Sequence, residues 1–398
     1  MDHDILISGG GLAGLSAAAA FGAAGFDVIC VDPAPPVTER DADGSDLRTT
    51  AILQPGRDFL EEAGVWTHFA PHAMPLQIMR IIDAGGVEAE PRVTREFDAD
   101  DISDRPFGWN LPNWLLQREL LARLEELPNV RFETGVAATD LFTRSSEARV
   151  RLSDGRSLRV KLAIAADGRN SALREAAGID VSTTRYGQKA LAFAVTHPLP
   201  HQNVSTEIHR TGGPFTLVPL PDHEGQPSSA IVWMEEGRRA LELMDMDVPD
   251  FEAAMNARSC GILGPLTLAS RRTIWPIISQ HAERLSAERL AIVAEAAHVV
   301  PPIGAQGLNM SLKDLAALLE LATAHRDDPG TAEVLDTYHR RRIADIRARV
   351  AGITLLNRTS MLSRQPLMDA RAAGLNALYS LGPVRKTLMQ LGLGARGA

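Results

Sequence analysis

Two periods of apolar and polar residues alternate along this chain, and both are visible in its first thirty-two residues. Asp4-Ile5-Leu6-Ile7-Ser8 is a continuous apolar run of strand length, the pattern of a parallel strand buried on both faces. A glycine cluster, Gly9-Gly10-Gly11-Leu12-Ala13-Gly14, follows it. The small apolar residues Leu15 to Ala24 then predict a helix, and Gly25 ends it. Phe26 to Val31 is a second apolar run, closed by Asp32. Similar runs recur as predicted strands at Leu162–Ala166 and Arg289–Ala294, and the stretch Gln117 to Leu124 predicts a helix. Alternating segments at Ala190–Val195 and Ser229–Met234 predict strands of a mixed sheet with one face toward a partner domain and one toward solvent. The chain closes on helical patterns with apolar faces and scattered Arg.

Composition narrows the class. A chain of 398 residues is long for one core, so two domains are expected. The net charge of −9 argues against a nucleic-acid partner, since phosphate binding needs a basic surface. No window offers the run of apolar residues that a bilayer span requires. The first residues carry no basic flank, so a signal peptide is not expected, and Cys30 and Cys260 fit free thiols in a reducing cytosol. No cluster of His, Cys and carboxylates has metal-ligand spacing, so no metal is expected.

The opening strand, turn, helix and strand form a complete dinucleotide unit. Gly9 permits the tight turn, Gly11 allows a pyrophosphate to approach the backbone, and Gly14 allows the helix to pack on the strand. The helix N-terminus offers free N–H groups and a partial positive charge to the phosphates. Asp32 stands where a carboxylate accepts the ribose hydroxyls. The unit alone does not separate FAD from NAD. Two later loops repeat the strand-to-helix theme. Asp167-Gly168-Arg169 leads to a helix holding Arg174, and a Gly- and Pro-rich loop, Pro301 to Asn309, leads to a helix expected from Met310 onward.

Together these segments resemble the group A flavoprotein hydroxylases of the para-hydroxybenzoate hydroxylase fold. Tyr186 to Ala190, Gly213 to Leu220 and Ser229 to Trp233 are most similar to the ubiquinone-biosynthesis hydroxylases of the UbiH/UbiF/VisC type. The resemblance implies an α/β fold: a doubly wound FAD-binding domain (1–75, 105–185 and 270–345) interleaved with a mixed-sheet substrate domain (76–104 and 186–269), then a C-terminal helical segment, 346–398. It implies that FAD is held by Gly9, Gly11, Leu12, Ala13, Gly14, Asp32, Arg48, Gln117, Asp167, Gly168, Glu295, Pro302, Ala305, Gln306, Gly307, Leu308 and Asn309. Arg48 matches a position near the pyrophosphate, and Glu295 matches one that binds a ribityl hydroxyl. The chain departs from the family at Ala294 and Ala305, which replace glycines, and at Glu295, which replaces Asp.

The implied reaction runs through NAD(P)H reduction of FAD, oxygen addition at flavin C4a and attack by a phenol ring on the hydroperoxide, with NAD(P)H bound transiently. The implied substrate is a polyprenylated phenol of ubiquinone biosynthesis. A small soluble phenol, or an accessory role with weak FAD binding, stays open beside it. No residue stands out as the catalytic base. His298 reads either as a flavin neighbour or as a partly buried loop histidine bonded to backbone, Tyr186 and Gln188 as passage lining or domain anchors, and Trp233 as core or substrate platform. The tail from Pro366 to Gly394 reads either as a surface for membrane or prenyl chain, or as helices packed on the FAD domain or at a subunit contact. A cytoplasmic protein is expected, peripheral at the inner membrane face on the first reading. A contact with a ubiquinone-biosynthesis complex and a homo-oligomer are also open.

Overall fold

The structure is a computed structural model that describes residues 1–86 and 90–393, without the side chain of Leu393. Residues 87–89 of the 76–104 span and 394–398 of the C-terminal segment lie outside the described residues. Five parallel strands form the heart of the first sheet, in the order Leu290–Ile292, Ser157–Ala165, His3–Ser8, Val28–Asp32 and Val130–Thr134. Ile5, Leu6, Ile7, Val28, Leu162, Ala163 and Ile164 are fully buried, as strands covered on both faces must be. The helix Leu12–Ala23 crosses between the first two strands and packs between helices Asn113–Glu125 and Gln306–Ala324. Its alanines let these helices come close.

The second sheet has nine strands and is mixed. Ile78–Asp83 runs parallel to Val204–His209, while Pro214–His223, Gln226–Glu236, Val181–Thr196 and Thr273–Ala282 pair antiparallel. Thr273–Ala282 thus joins this sheet, although it falls in the 270–345 span. One face carries Leu191, Phe193, Phe215, Ile231 and Trp233. Helices Gly237–Asp245 and Val248–Arg258 cover it through Leu243, Phe251 and Met255. The expectation of a solvent face is corrected: those side chains are too apolar to leave wet, and two helices close over them. Trp233 is core.

The opposite face looks toward the first domain and is built from small residues. The register places Thr273, Ala192, Val232, Thr216 and Glu207 in one row, and Trp275, Ala190 and Met234 in the next. Ala190 and Met234 pack into the core of the first domain, so this face is the domain junction. A cavity of about 360 Å³ opens there, with Leu47 and Thr49 on one wall and Ala194, Ser228 and Ala230 on the other. Tyr186 and Gln188 tie the second sheet to the C-terminal helix Ala332–Ser360. The Tyr186 hydroxyl meets Ser279 Oγ at 2.6 Å and donates to Thr354 Oγ1 at 2.9 Å, and Gln188 donates to the Gly212 carbonyl and accepts from Asn357.

Three helices close the chain, Ala332–Ser360, Gln365–Ser380 and Gly382–Leu393. The second packs on the edge strand Val93–Asp98, where Tyr379 meets Phe97 edge-on and Arg371 pairs with buried Asp83 at 2.6 Å.

Candidate flavin site

The glycine turn is shaped by what a side chain would strike. A Cβ on Gly14 would lie 1.8 Å from the Gly9 carbonyl oxygen, and one on Gly9 would lie 2.4 Å from the Ala166 carbonyl oxygen. Gly9 also has φ +109, a left-handed value that glycine adopts cheaply. A Cβ on Gly11 would meet nothing within 4 Å, so this backbone faces open space at the end of the Leu12–Ala23 helix. No side chain caps that helix, which leaves its first N–H groups for an anion. The helix starts at Leu12 rather than Leu15, so Gly14 packs on the turn from inside its first turn. The Asp32 carboxylate closes the far side, accepting from Gly10 N at 2.6 Å and Ala34 N at 2.9 Å.

Asp167 stands next to this turn, as the Gly9–Ala166 contact requires. Its Oδ2 accepts weakly from Ser8 Oγ at 3.4 Å, while its Oδ1 is buried with no partner. Burial pushes its carboxyl above the ordinary carboxylate range. An orphaned acceptor beside an open glycine turn is what a cofactor hydroxyl or amide would satisfy. Gly168 (φ +84) then turns the chain so that Arg169 reaches Glu295, Nε to Oε2 at 3.7 Å. Buried Arg174 braces the junction by donating to the carbonyls of Arg169 (3.0 Å) and Ala296 (3.1 Å). Glu295 is half exposed and its carboxylate faces Arg169.

The loop Pro301–Ala305 delivers the second uncapped helix terminus. The helix runs Gln306–Ala324, four residues earlier than expected. Ala305 at φ 54, ψ 32 turns the chain left-handed and starts the helix directly, so Gly307 lies inside it. Ala294 is left-handed too, at φ 55. Both departures from the family's glycines therefore sit where glycine is the relaxed residue. A Cβ on Gly307 would meet nothing within 4 Å, and Pro302 is exposed while Pro301 is buried.

Several expected residues have other partners. Asn309 accepts from Leu53 N and donates to the carbonyls of Ala51 and Ala305, which ties the late loop to strand Thr49–Leu53. Gln306 donates to the carbonyls of Gly304 and Gly392 and accepts from Arg349. Leu308 packs on the main core. Arg48 forms a two-pronged pair with Asp46 at 2.8 and 2.7 Å and lies over Trp275, 5.5 Å from its centroid. The Asp46 carboxylate, with a smaller contribution from Glu295, holds its guanidinium charged, and the side chain stays 44% exposed. The helix expected to open at Gln117 opens at Asn113, whose amide donates to Asp46. Gln117 lies one turn later on the same face.

His298 bonds to a buried carboxylate and not to backbone. Its Nε2 lies 2.6 Å from Asp314 Oδ2, and Asp314 Oδ1 accepts from Arg342 Nε at 2.7 Å, all deeply buried. Sequence reading also missed Glu207 and His209. These two lie on the cleft face of strand Val204–His209, with His209 Nε2 2.7 Å from Glu207 Oε1 and its Nδ1 buried without a partner. Two titratable residues spaced by two on a strand with no motif around them leave little signal.

The turn at Gly9 abuts Ala166 and Asp167, and the Arg169–Glu295 pair links that loop to the Glu295 turn. This is a dinucleotide-binding flavoprotein architecture, and its open turns, orphaned acceptor and free helix termini fit FAD. The chain matches the model of an FAD-binding-domain family over residues 2–352 and belongs to that family. It is 31% identical to ubiquinone hydroxylase UbiL of Rhodospirillum rubrum, over 98% of this chain and 89% of the relative. It is 27% identical to 3-demethoxyubiquinol 3-hydroxylase of Escherichia coli, over 98% of each. Among solved structures it resembles p-nitrophenol 4-monooxygenase PnpA of Pseudomonas putida, at TM-score 0.79 and 18% identity, over 100% of this chain and 99% of that one. That likeness shows a shared fold.

Proposed function

We propose that this chain is an FAD- and NAD(P)H-dependent monooxygenase that hydroxylates the aromatic ring of a polyprenylated phenol in ubiquinone biosynthesis. The observation that carries the reading is its nearly end-to-end similarity to ubiquinone hydroxylases. FAD when bound takes electrons from NAD(P)H and activates oxygen. Gly9, Gly11, Leu12, Ala13 and Gly14 would hold its pyrophosphate, Asp32 its ribose and Asp167, Gly168 and Glu295 its middle. Pro302, Ala305, Gln306, Gly307, Leu308 and Asn309 would form the wall beside the ring through backbone and helix terminus, and Arg48 and Gln117 the wall opposite.

The chain's own task is to orient the phenol, exclude water and move a proton. Ala194 and Ala230, which line the junction cavity, would leave room for a ring. His209, with Nε2 against Glu207, keeps Nδ1 as the acceptor for the phenol proton, and the carboxylate steadies the resulting cation. A phenolate attacks an electrophilic oxygen better than a phenol does. A prenylated substrate resides in a bilayer, so the enzyme works at the inner membrane face without crossing it. No helix among the described residues is long and apolar enough to span.

Quinone profiling by mass spectrometry in a strain lacking the gene tests this. A prenylated precursor missing one ring hydroxyl is expected to accumulate, whereas an unchanged quinone profile would remove the substrate.

A further inference from the structure

The last two helices pack through one side and leave the other bare. Eight of the fourteen exposed large apolar side chains among the described residues lie between 355 and 391. In helix Gly382–Leu393 only Met389 is buried among the described side chains, while Val384, Leu388 and Leu391 recur at a helical spacing and face outward. Leu381 continues that stripe toward Leu378 on the preceding helix. Leucine exposed to water on this scale, at about 25 cal/mol per Å², marks a surface that another apolar phase covers.

Charge says which phase. Residues 346–398 carry eight Arg and Lys against one acid, within a chain of net −9. Arg358, Arg364 and Lys386 are exposed, and none pairs with a carboxylate among the described residues. Asp369, the one acid, is already paired with Arg92. A cationic, leucine-faced helical surface on an otherwise acidic protein is complementary to anionic phospholipid, which offers both an acyl layer and negative headgroups.

The same helices reach the cofactor loop. Gly392 accepts from Gln306, and Met389 packs in one cluster with Leu53, Phe107 and Ala305. We infer that the leucine face of helices Gln365–Ser380 and Gly382–Leu393 docks on an anionic phospholipid surface and sets the cleft beside the bilayer. This deepens the reading of a prenylated substrate, on which it rests for its purpose.

The test is flotation of the holoprotein with vesicles of phosphatidylcholine, with and without phosphatidylglycerol. Three exposed cations predict about a hundredfold stronger partition onto the anionic vesicles. Val384→Glu/Leu388→Glu/Leu391→Glu should abolish flotation, and Arg358→Glu/Arg364→Glu/Lys386→Glu should erase the preference for phosphatidylglycerol. Bound-FAD absorbance should be unchanged in both. Failure of the native protein to float with either vesicle would overturn the inference, and so would flotation that survives the glutamates. A dimer that the glutamates dissociate, with no flotation, would assign the face to a second copy and overturn it as well. Flotation involves no turnover, so a protein that floats but leaves quinones unchanged contradicts only the proposed reaction.

Discussion

Asp314 is the residue whose loss should reach the cofactor loop without touching cofactor. Its carboxylate is fully buried and bridges His298 at 2.6 Å and Arg342 at 2.7 Å. Asp314→Asn keeps the volume and one acceptor but removes the charge that compensates a buried guanidinium. Breaking a buried pair in this way costs about 3–5 kcal/mol. Arg342 keeps Asp345 at 2.8 Å, a half-exposed partner, so the lower end, about 3 kcal/mol, is expected here. Urea unfolding followed by circular dichroism and flavin release should show a midpoint lower by up to about 1 M, with flavin lost first. The apolar set His298→Leu/Asp314→Leu/Arg342→Met leaves no charge behind and should be more stable than Asp314→Asn. A loss below about 1 kcal/mol, or an apolar set worse than Asp314→Asn, would refute the reasoning.

Ala305 in the left-handed region costs about 1–2 kcal/mol, against about 0.4–1 kcal/mol of chain entropy for glycine. Melting temperatures should therefore rank Ala305→Gly above native and native above Ala305→Val, read by differential scanning fluorimetry. Asp167 has its pKa raised by burial, so its charge weakens the apoprotein at neutral pH, and that penalty fades as pH falls through the raised value. Asp167→Asn should thus stabilise the apoprotein at neutral pH and flatten its acid dependence, while lowering FAD affinity in a fluorescence titration. His209→Asn should reduce kcat by about a hundredfold or more and leave the FAD spectrum intact.

The opening glycine unit was legible because each glycine answers a steric demand that no other residue meets, and Asp32 follows at the end of the next strand. The start of the late helix was not. Gly304 and Gly307 read as breakers, yet Ala305 turns left-handed and Asn309 and Gln306 hold the first turn by tertiary bonds. Likewise, His298 and Asp314 sit sixteen residues apart on either side of that loop, and only the fold brings them together. The solvent face expected for the mixed sheet was covered because Gly237–Asp245 and Val248–Arg258 return over it, a packing that strand alternation alone does not encode. Glu207 and His209 were hidden for the same reason: which face of an alternating strand looks into a cleft depends on its neighbours.

The central claim is that this chain inserts one atom of molecular oxygen into a prenylated phenol. Turnover of the purified FAD-loaded protein with NAD(P)H and a polyprenylphenol under ¹⁸O₂, read by mass spectrometry, addresses it directly. Incorporation of one ¹⁸O into the ring is the expected result. NAD(P)H consumed to hydrogen peroxide alone, or a product oxygen drawn from water, would contradict it.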